Sequence, residues 1–107
     1  MTFTPAVAGR SIFLAYVTAR YSTTNNSTPG GINTQLFVDG VAQAGTLSAR
    51  TTLGPSSANI DACLSVFGFW VPTLTAASHT VKTLTQTVTG TAGTVDSAGL
   101  LRIELGS

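Results

Sequence analysis

Two stretches of this chain, Ser11 to about Tyr21 and Asn59 to Val71, alternate residue by residue between two faces. No segment sustains the apolar spacing of an amphipathic helix. In the first stretch Ile12, Leu14 and Tyr16 fall on one side, and Phe13, Ala15, Val17 and Ala19 on the other. Both sides are apolar, which predicts a central strand covered on both faces. In the second, Ile60, Ala62, Leu64, Val66, Gly68 and Trp70 share one face, and Asp61, Cys63, Ser65, Phe67 and Phe69 the other. That second face starts polar and turns aromatic, so its C-terminal half also requires cover. Phe67, Phe69 and Tyr16 are read as subunit contacts, with a second-sheet core as the alternative for the two phenylalanines. Abundant Thr and Val, with Gly breaking the chain often, give the composition of short strands and turns.

The segments between these strands sharpen the pattern. Ser22–Gly31 has no apolar residue and ends in Pro-Gly-Gly, so it predicts an exposed loop. Asp39-Gly40 lies between Val38 and Val41 and supplies the positive φ of a type I′ turn, which predicts direct pairing of 32–38 with 41–45. Gly45–Ser57 continues as polar strand or loop. Pro72 ends the second long strand. His79–Thr89 alternates Thr with other residues, and the expectation is a hydroxyl-coated solvent face, with Leu84 and Val88 pointing inward. Thr94–Asp96 reads as a short strand. Leu100–Leu105 reads as the last, with Leu101, Ile103 and Leu105 inward and Arg102 and Glu104 outward. Six to eight short antiparallel strands with frequent turns imply a single all-β domain over 1–107, an antiparallel β-sandwich or jelly roll.

Charge decides which functions such a domain can serve. Only 8% of the 107 residues are charged, against about 25% in typical soluble domains. Apolar residues nevertheless reach 43%. A neutral surface on an apolar chain suits a subunit that hides part of its outside against copies of itself. The basic residues Arg10, Arg20, Arg50, Lys82 and Arg102 are scattered, which excludes a phosphate-binding stripe for nucleic acid. There is neither a polybasic segment nor a long apolar run for membrane insertion. The N-terminal residues lack the features of a signal peptide, so synthesis in a cytoplasm is expected.

Candidate chemistry is sparse. Cys63 is the only cysteine and His79 the only histidine, too few for a transition-metal site. Cys63 reads as a buried small hydrophobe. Asn25-Asn26 offers carbonyl oxygens without a carboxylate, a poor calcium site. Asp39 is explained by its turn, while Asp61, Asp96 and Glu104 lie far apart in sequence. No nucleophile-elbow or phosphate-loop pattern occurs. The expectation is a protein that is not an enzyme and uses no cofactor. If a ligand is bound, the loops Ser22–Gly31 and Arg50–Ala58 would hold it. Asn25, Asn26, Arg50, Trp70 and His79 are the candidate contacts, although Trp70 shares its face with Leu64 and Val66 and reads better as core.

Four stretches carry a family resemblance, in order: Phe3-Thr4-Pro5-Ala6-Val7-Ala8-Gly9-Arg10 leading into the first long strand, Thr34-Gln35-Leu36-Phe37-Val38-Asp39-Gly40 as a strand and Asp-Gly hairpin, Leu74-Thr75-Ala76-Ala77-Ser78-His79-Thr80-Val81 as a turn into the penultimate strand, and Gly90–Gly93 with Leu100–Leu105 as the ending. In these the chain resembles the compact C1q/TNF-like jelly rolls of tailed-phage fibres, baseplates and head-surface proteins. Ser11-Ile12 departs from the usual aromatic, and the chain is short for the family. The resemblance implies a homotrimer packed about a three-fold axis. It further implies a virion surface protein (head decoration, head fibre or tail fibre) meeting other virion proteins. A lectin-like module recognising host-surface glycans is the alternative.

Overall fold

A computed structural model describes residues 1–23, 31–50, 60–87 and 93–105. They form eight strands: β1 (Thr2–Phe3), β2 (Gly9–Thr23), β3 (Gly31–Val38), β4 (Val41–Arg50), β5 (Ile60–Trp70), β6 (Thr73–Leu74), β7 (His79–Thr87) and β8 (Gly93–Glu104). All pairings are antiparallel. One sheet runs β1-β7-β3-β4. In the other, β2 is central, with β5 on one side and β8 on the opposite side. Pro72 interrupts pairing after Trp70, and β6 then resumes against Gly9 and Arg10. The Pro72 carbonyl accepts from Ser11 N–H across the break at 3.1 Å, so β5 and β6 act as one strand with a proline-imposed gap.

The two sheets face each other through one set of alternating side chains. Phe13, Ala15, Leu36, Val38, Trp70, Leu74 and Val81 form the larger buried cluster, and Val17, Ala19, Ile32 and Val66 continue it; Leu47 touches both. The strands are long, β2 alone having 15 residues, or about 50 Å at strand rise. The molecule is accordingly a slender 55 × 20 × 19 Å body with a radius of gyration of 16.5 Å, against about 13 Å for a sphere-like domain of similar length. Asp39 (φ 50°) and Gly40 (φ 82°) make the expected left-handed turn between β3 and β4.

The structure corrects four expectations. Thr83, Thr85 and Thr87 lie on the inner face of β7 and are half-buried, while Leu84 is 49% exposed. Val81, fully buried at the deep end of the sandwich, sets this parity for the rest of the strand. The hydroxyls are accommodated in part by pairing: Thr34 Oγ1 and Thr85 Oγ1 lie 2.8 Å apart. Val88 falls outside the described residues. On β8 the orientation is likewise reversed. Phe13 pairs with Arg102 and Leu14 with Leu101, which turns Arg102 to the inner side and leaves Leu101 and Ile103 57% and 42% exposed. β8 is also continuous over its 12 residues: Ser97, Ala98 and Gly99, where a break between two strands is expected, pair with Thr18, Val17 and Tyr16, and a bulge falls at Asp96 instead. Finally, Cys63 is exposed, because it shares the outward face of β5 with Phe67 and Phe69.

Candidate functional surface

The outer faces of the two sheets differ in kind. On the β1-β7-β3-β4 sheet that face is polar and cross-linked by side chains. Ser48 Oγ donates to Asn33 Oδ1 at 2.7 Å, Thr46 Oγ1 donates to Gln35 Oε1 at 2.6 Å, and Arg50 Nη1 donates to Asn33 Oδ1 at 3.0 Å. The Gln35 amide also donates to the carbonyls of Gln43 and Gly45.

On the β5-β2-β8 sheet the outer face is apolar and uncovered. Its register sets the side chains in rows across the three strands: Ile12 beside Ile103; Phe69, Leu14 and Leu101; then Phe67, Tyr16 and Gly99. Phe67 is 72% exposed, Phe69 63%, Leu101 57% and Tyr16 47%. The next row, Ser65, Thr18 and Ser97, is polar and ends the band, with a Thr18–Ser65 hydroxyl contact of 3.1 Å. Beyond it Arg20 Nε meets Asp96 Oδ2 at 3.0 Å. Tyr16, Phe67 and Phe69 are thus brought together on one surface. Ile12, Leu14, Leu101 and Ile103 join them; sequence alternation assigned the two β8 residues to the core. Five exposed side chains (Tyr16, Phe67, Phe69, Leu101 and Ile103) offer about 600 Å² of apolar area at ordinary side-chain sizes. This lies at the upper end for the largest patch on a soluble monomer.

The other concentration of functional groups is polar and lies where β1 joins β7. His79 is buried. Its Nδ1 lies 2.7 Å from Asp39 Oδ2, and its Nε2 lies 3.0 Å from the Thr75 carbonyl and 3.2 Å from Thr75 Oγ1. The Asp39 carboxylate, aided by the Thr75 carbonyl, raises the His79 pKa above its ordinary value. Asp39 is in turn held low by His79 and by the Thr80 N–H, which donates to its Oδ1 at 2.8 Å. An Asp–His–Thr sequence of contacts resembles a hydrolytic triad. However, the Thr75 carbonyl can only accept, so the Nε2 that faces it at 3.0 Å is placed as a donor rather than as a base for the Thr75 proton. The cluster therefore clips the β3–β4 turn to the start of β7. Next to it, Arg102 lies over the Phe3 ring at 4.1 Å and donates from Nε to Ser11 Oγ at 3.2 Å. Its Nη2 approaches Glu104 Oε2 at 2.9 Å, off the line of a hydrogen bond. Glu104 Oε1 accepts from Ala6 and Val7 N–H at 2.8 and 3.3 Å. The Val7 N–H is the largest cause of this carboxyl's lowered pKa.

The ligand candidates do not converge. Asn25 and Asn26 lie outside the described residues, as do 24–30 and 51–58 of the two expected loops; Ser22 and Thr23 belong to β2 and Gly31 to β3. Arg50 lies at the end of β4 with its guanidinium on Asn33 and the Ile32 carbonyl. Trp70 is 5% exposed and donates from Nε1 to the Gly45 carbonyl at 2.9 Å, so its ring is core and offers no stacking platform. His79 is occupied as above. Among the described residues no three of His, Cys, Asp and Glu converge as metal ligands. No family model, curated protein or solved structure matches the chain.

Proposed function

We propose that this chain is a non-enzymatic structural module that works as an assembly of its own copies, a trimeric jelly roll on the surface of a tailed-phage particle. One observation carries the self-association: the uncovered band of Ile12, Leu14, Tyr16, Phe67, Phe69, Leu101 and Ile103 on one sheet, in a chain only 8% charged. About 600 Å² of apolar surface is at the upper end for the largest patch on a soluble monomer, and in a trimer it would be divided between two neighbours. The strand order, β1-β7-β3-β4 against β8-β2-β5, supports the jelly-roll reading, since successive strands repeatedly cross between the sheets. The three-fold state and the virion setting rest on the sequence resemblance. The polar clusters support the non-enzymatic reading, because their hydrogen bonds join strands and turns. Glycan binding has less support, with Trp70 and His79 both buried.

Size-exclusion chromatography with light scattering tests the proposal. The expected particle is three times the 10.9 kDa chain. A monomer at micromolar concentration overturns the reading.

A further inference from the structure

The apolar band is not a flat sheet face. Gly99 is its only residue without a side chain, and the Tyr16 ring bends over the gap, so that a Cβ at Gly99 would lie 2.2 Å from Tyr16 Cε1. Around this point Leu14, Tyr16, Phe67, Gly99 and Leu101 line a shallow hollow of about 360 Å³. A cavity of about 150 Å³ already holds a benzene ring. The hollow has no charged side chain in its lining. Beside it, on the β5 side and outside its wall, Phe69 stands 63% exposed.

Resting on the self-association proposed above, we infer that Phe69 of one copy seats in the Leu14/Tyr16/Gly99/Leu101 hollow of the next. The knob stands on β5, and the hollow draws its lining from β2, β5 and β8. A two-fold pair would seat both knobs reciprocally, whereas the three-fold state proposed above requires the head-to-tail contact, which closes as a ring. The chemistry on both sides suits a second copy. The knob is aromatic, the socket is aliphatic and aromatic with no charged side chain in its lining, and each copy would bury the whole band of about 600 Å², divided between its two neighbours. An aromatic anchor in a fitted pocket is also where binding energy concentrates.

Cysteine cross-linking separates this geometry from a general apolar contact. Within one chain positions 69 and 101 both flank Leu14. They are therefore two strand spacings apart, about 9.5 Å, well beyond the Cβ separation of about 4 Å that a disulfide needs. In a Cys63→Ser background the double variant Phe69→Cys/Leu101→Cys removes the knob itself, so it is mildly oxidised at a concentration at least about 100-fold above the wild-type dissociation midpoint. It is expected to give a covalent ladder that ends at three chains, and one that ends at two would mean reciprocal pairing and overturn the proposal. Each single variant should stay uncrosslinked. Dimers from Phe69→Cys alone would mean like-to-like packing and would overturn the proposal. A wild-type trimer whose double variant forms no ladder overturns the knob and socket while leaving self-association intact; a monomeric wild type removes both. As a second readout, Phe69→Ala should raise the dissociation midpoint at least about 30-fold. Leu84→Ala, on the other sheet, should leave it within about three-fold. Equal effects of the two substitutions would also overturn the proposal. Trp70 fluorescence establishes that each variant is folded.

Discussion

The Thr34–Thr85 pair gives a sign-sensitive test of which face of β7 points inward. Thr34 is 0% exposed, and its hydroxyl lies 2.8 Å from that of the half-buried Thr85. Valine keeps the shape of threonine and removes the hydroxyl. Thr85→Val leaves the Thr34 hydroxyl inside the sandwich without this partner, which costs about 1–3 kcal/mol. Thr34→Val leaves the Thr85 hydroxyl at a half-exposed site where water can reach it, so the loss is nearer the net value of one hydrogen bond, about 1 kcal/mol. The double variant replaces both partners with apolar groups of matching shape in adjacent strands, which is close to neutral or stabilising. The two substitutions should therefore be strongly non-additive, the double variant recovering most of the loss of either single one.

The assay is urea unfolding followed by the fluorescence of Trp70, the only tryptophan. All four proteins must be compared at one concentration, because self-association would add a concentration-dependent contribution. In thermal scans each kcal/mol should appear as about 4–8 °C. Were Thr85→Val neutral and the two changes additive, the threonine row would face solvent and the register of β7 against the core would be wrong.

Other consequences are checked more briefly. Titration of the His79 imidazole by NMR should give a midpoint above the ordinary 6.5, and Asp39→Asn should lower it, because the Asp39 carboxylate is the main cause of the rise. The stability this histidine contributes is fully present below pH 6.5 and fades as pH rises through its raised folded value, whereas that of Asp39 is present above pH 3.8 and fades as pH falls through its lowered one. Gly45 sits at φ +93° with only ordinary contacts to Trp70 around an added Cβ; Gly45→Ala should cost about 1–2 kcal/mol of backbone strain in urea unfolding. Gly68→Ala puts a Cβ 2.2 Å from Leu47 Cδ2 between the sheets, and should lower the unfolding free energy by about 1–3 kcal/mol in urea as Leu47 is displaced.

The strands and the Asp39-Gly40 hairpin were legible in the sequence because turn chemistry and a period of two are local properties. So was the shared face of Phe67 and Phe69; that Tyr16 stands beside them comes from the register of β2 against β5. What alternation alone does not supply is which of two faces turns inward. On β7 the choice was made by Val81 and His79 at one end of the strand, and the threonines followed. On β8 it was made by pairing with β2: Phe13 is committed to the core, so Arg102 opposite it must be too. The cost of an inward arginine is moderated by the Phe3 ring and Ser11.

That reversal bears directly on function. For a chain folding alone, the better arrangement of β8 would bury Leu101 and Ile103 and expose Arg102 to water. The observed register does the opposite, and places both aliphatics beside Ile12, Leu14 and the two phenylalanines on a single outer surface. Such a register is favourable as a whole if that surface is itself buried when copies meet, because both faces of the β5-β2-β8 sheet then become interior and β2 is covered on both sides, as its sequence demands. The same reasoning predicts that polar substitutions at Leu101 and Ile103 together should cost the isolated subunit little stability, within about 0.5 kcal/mol each, and abolish the assembly. Unfolding of the dilute double variant at a much lower urea concentration than a wild type held monomeric would show that these side chains serve the subunit's own core, and would remove the argument for a covered face.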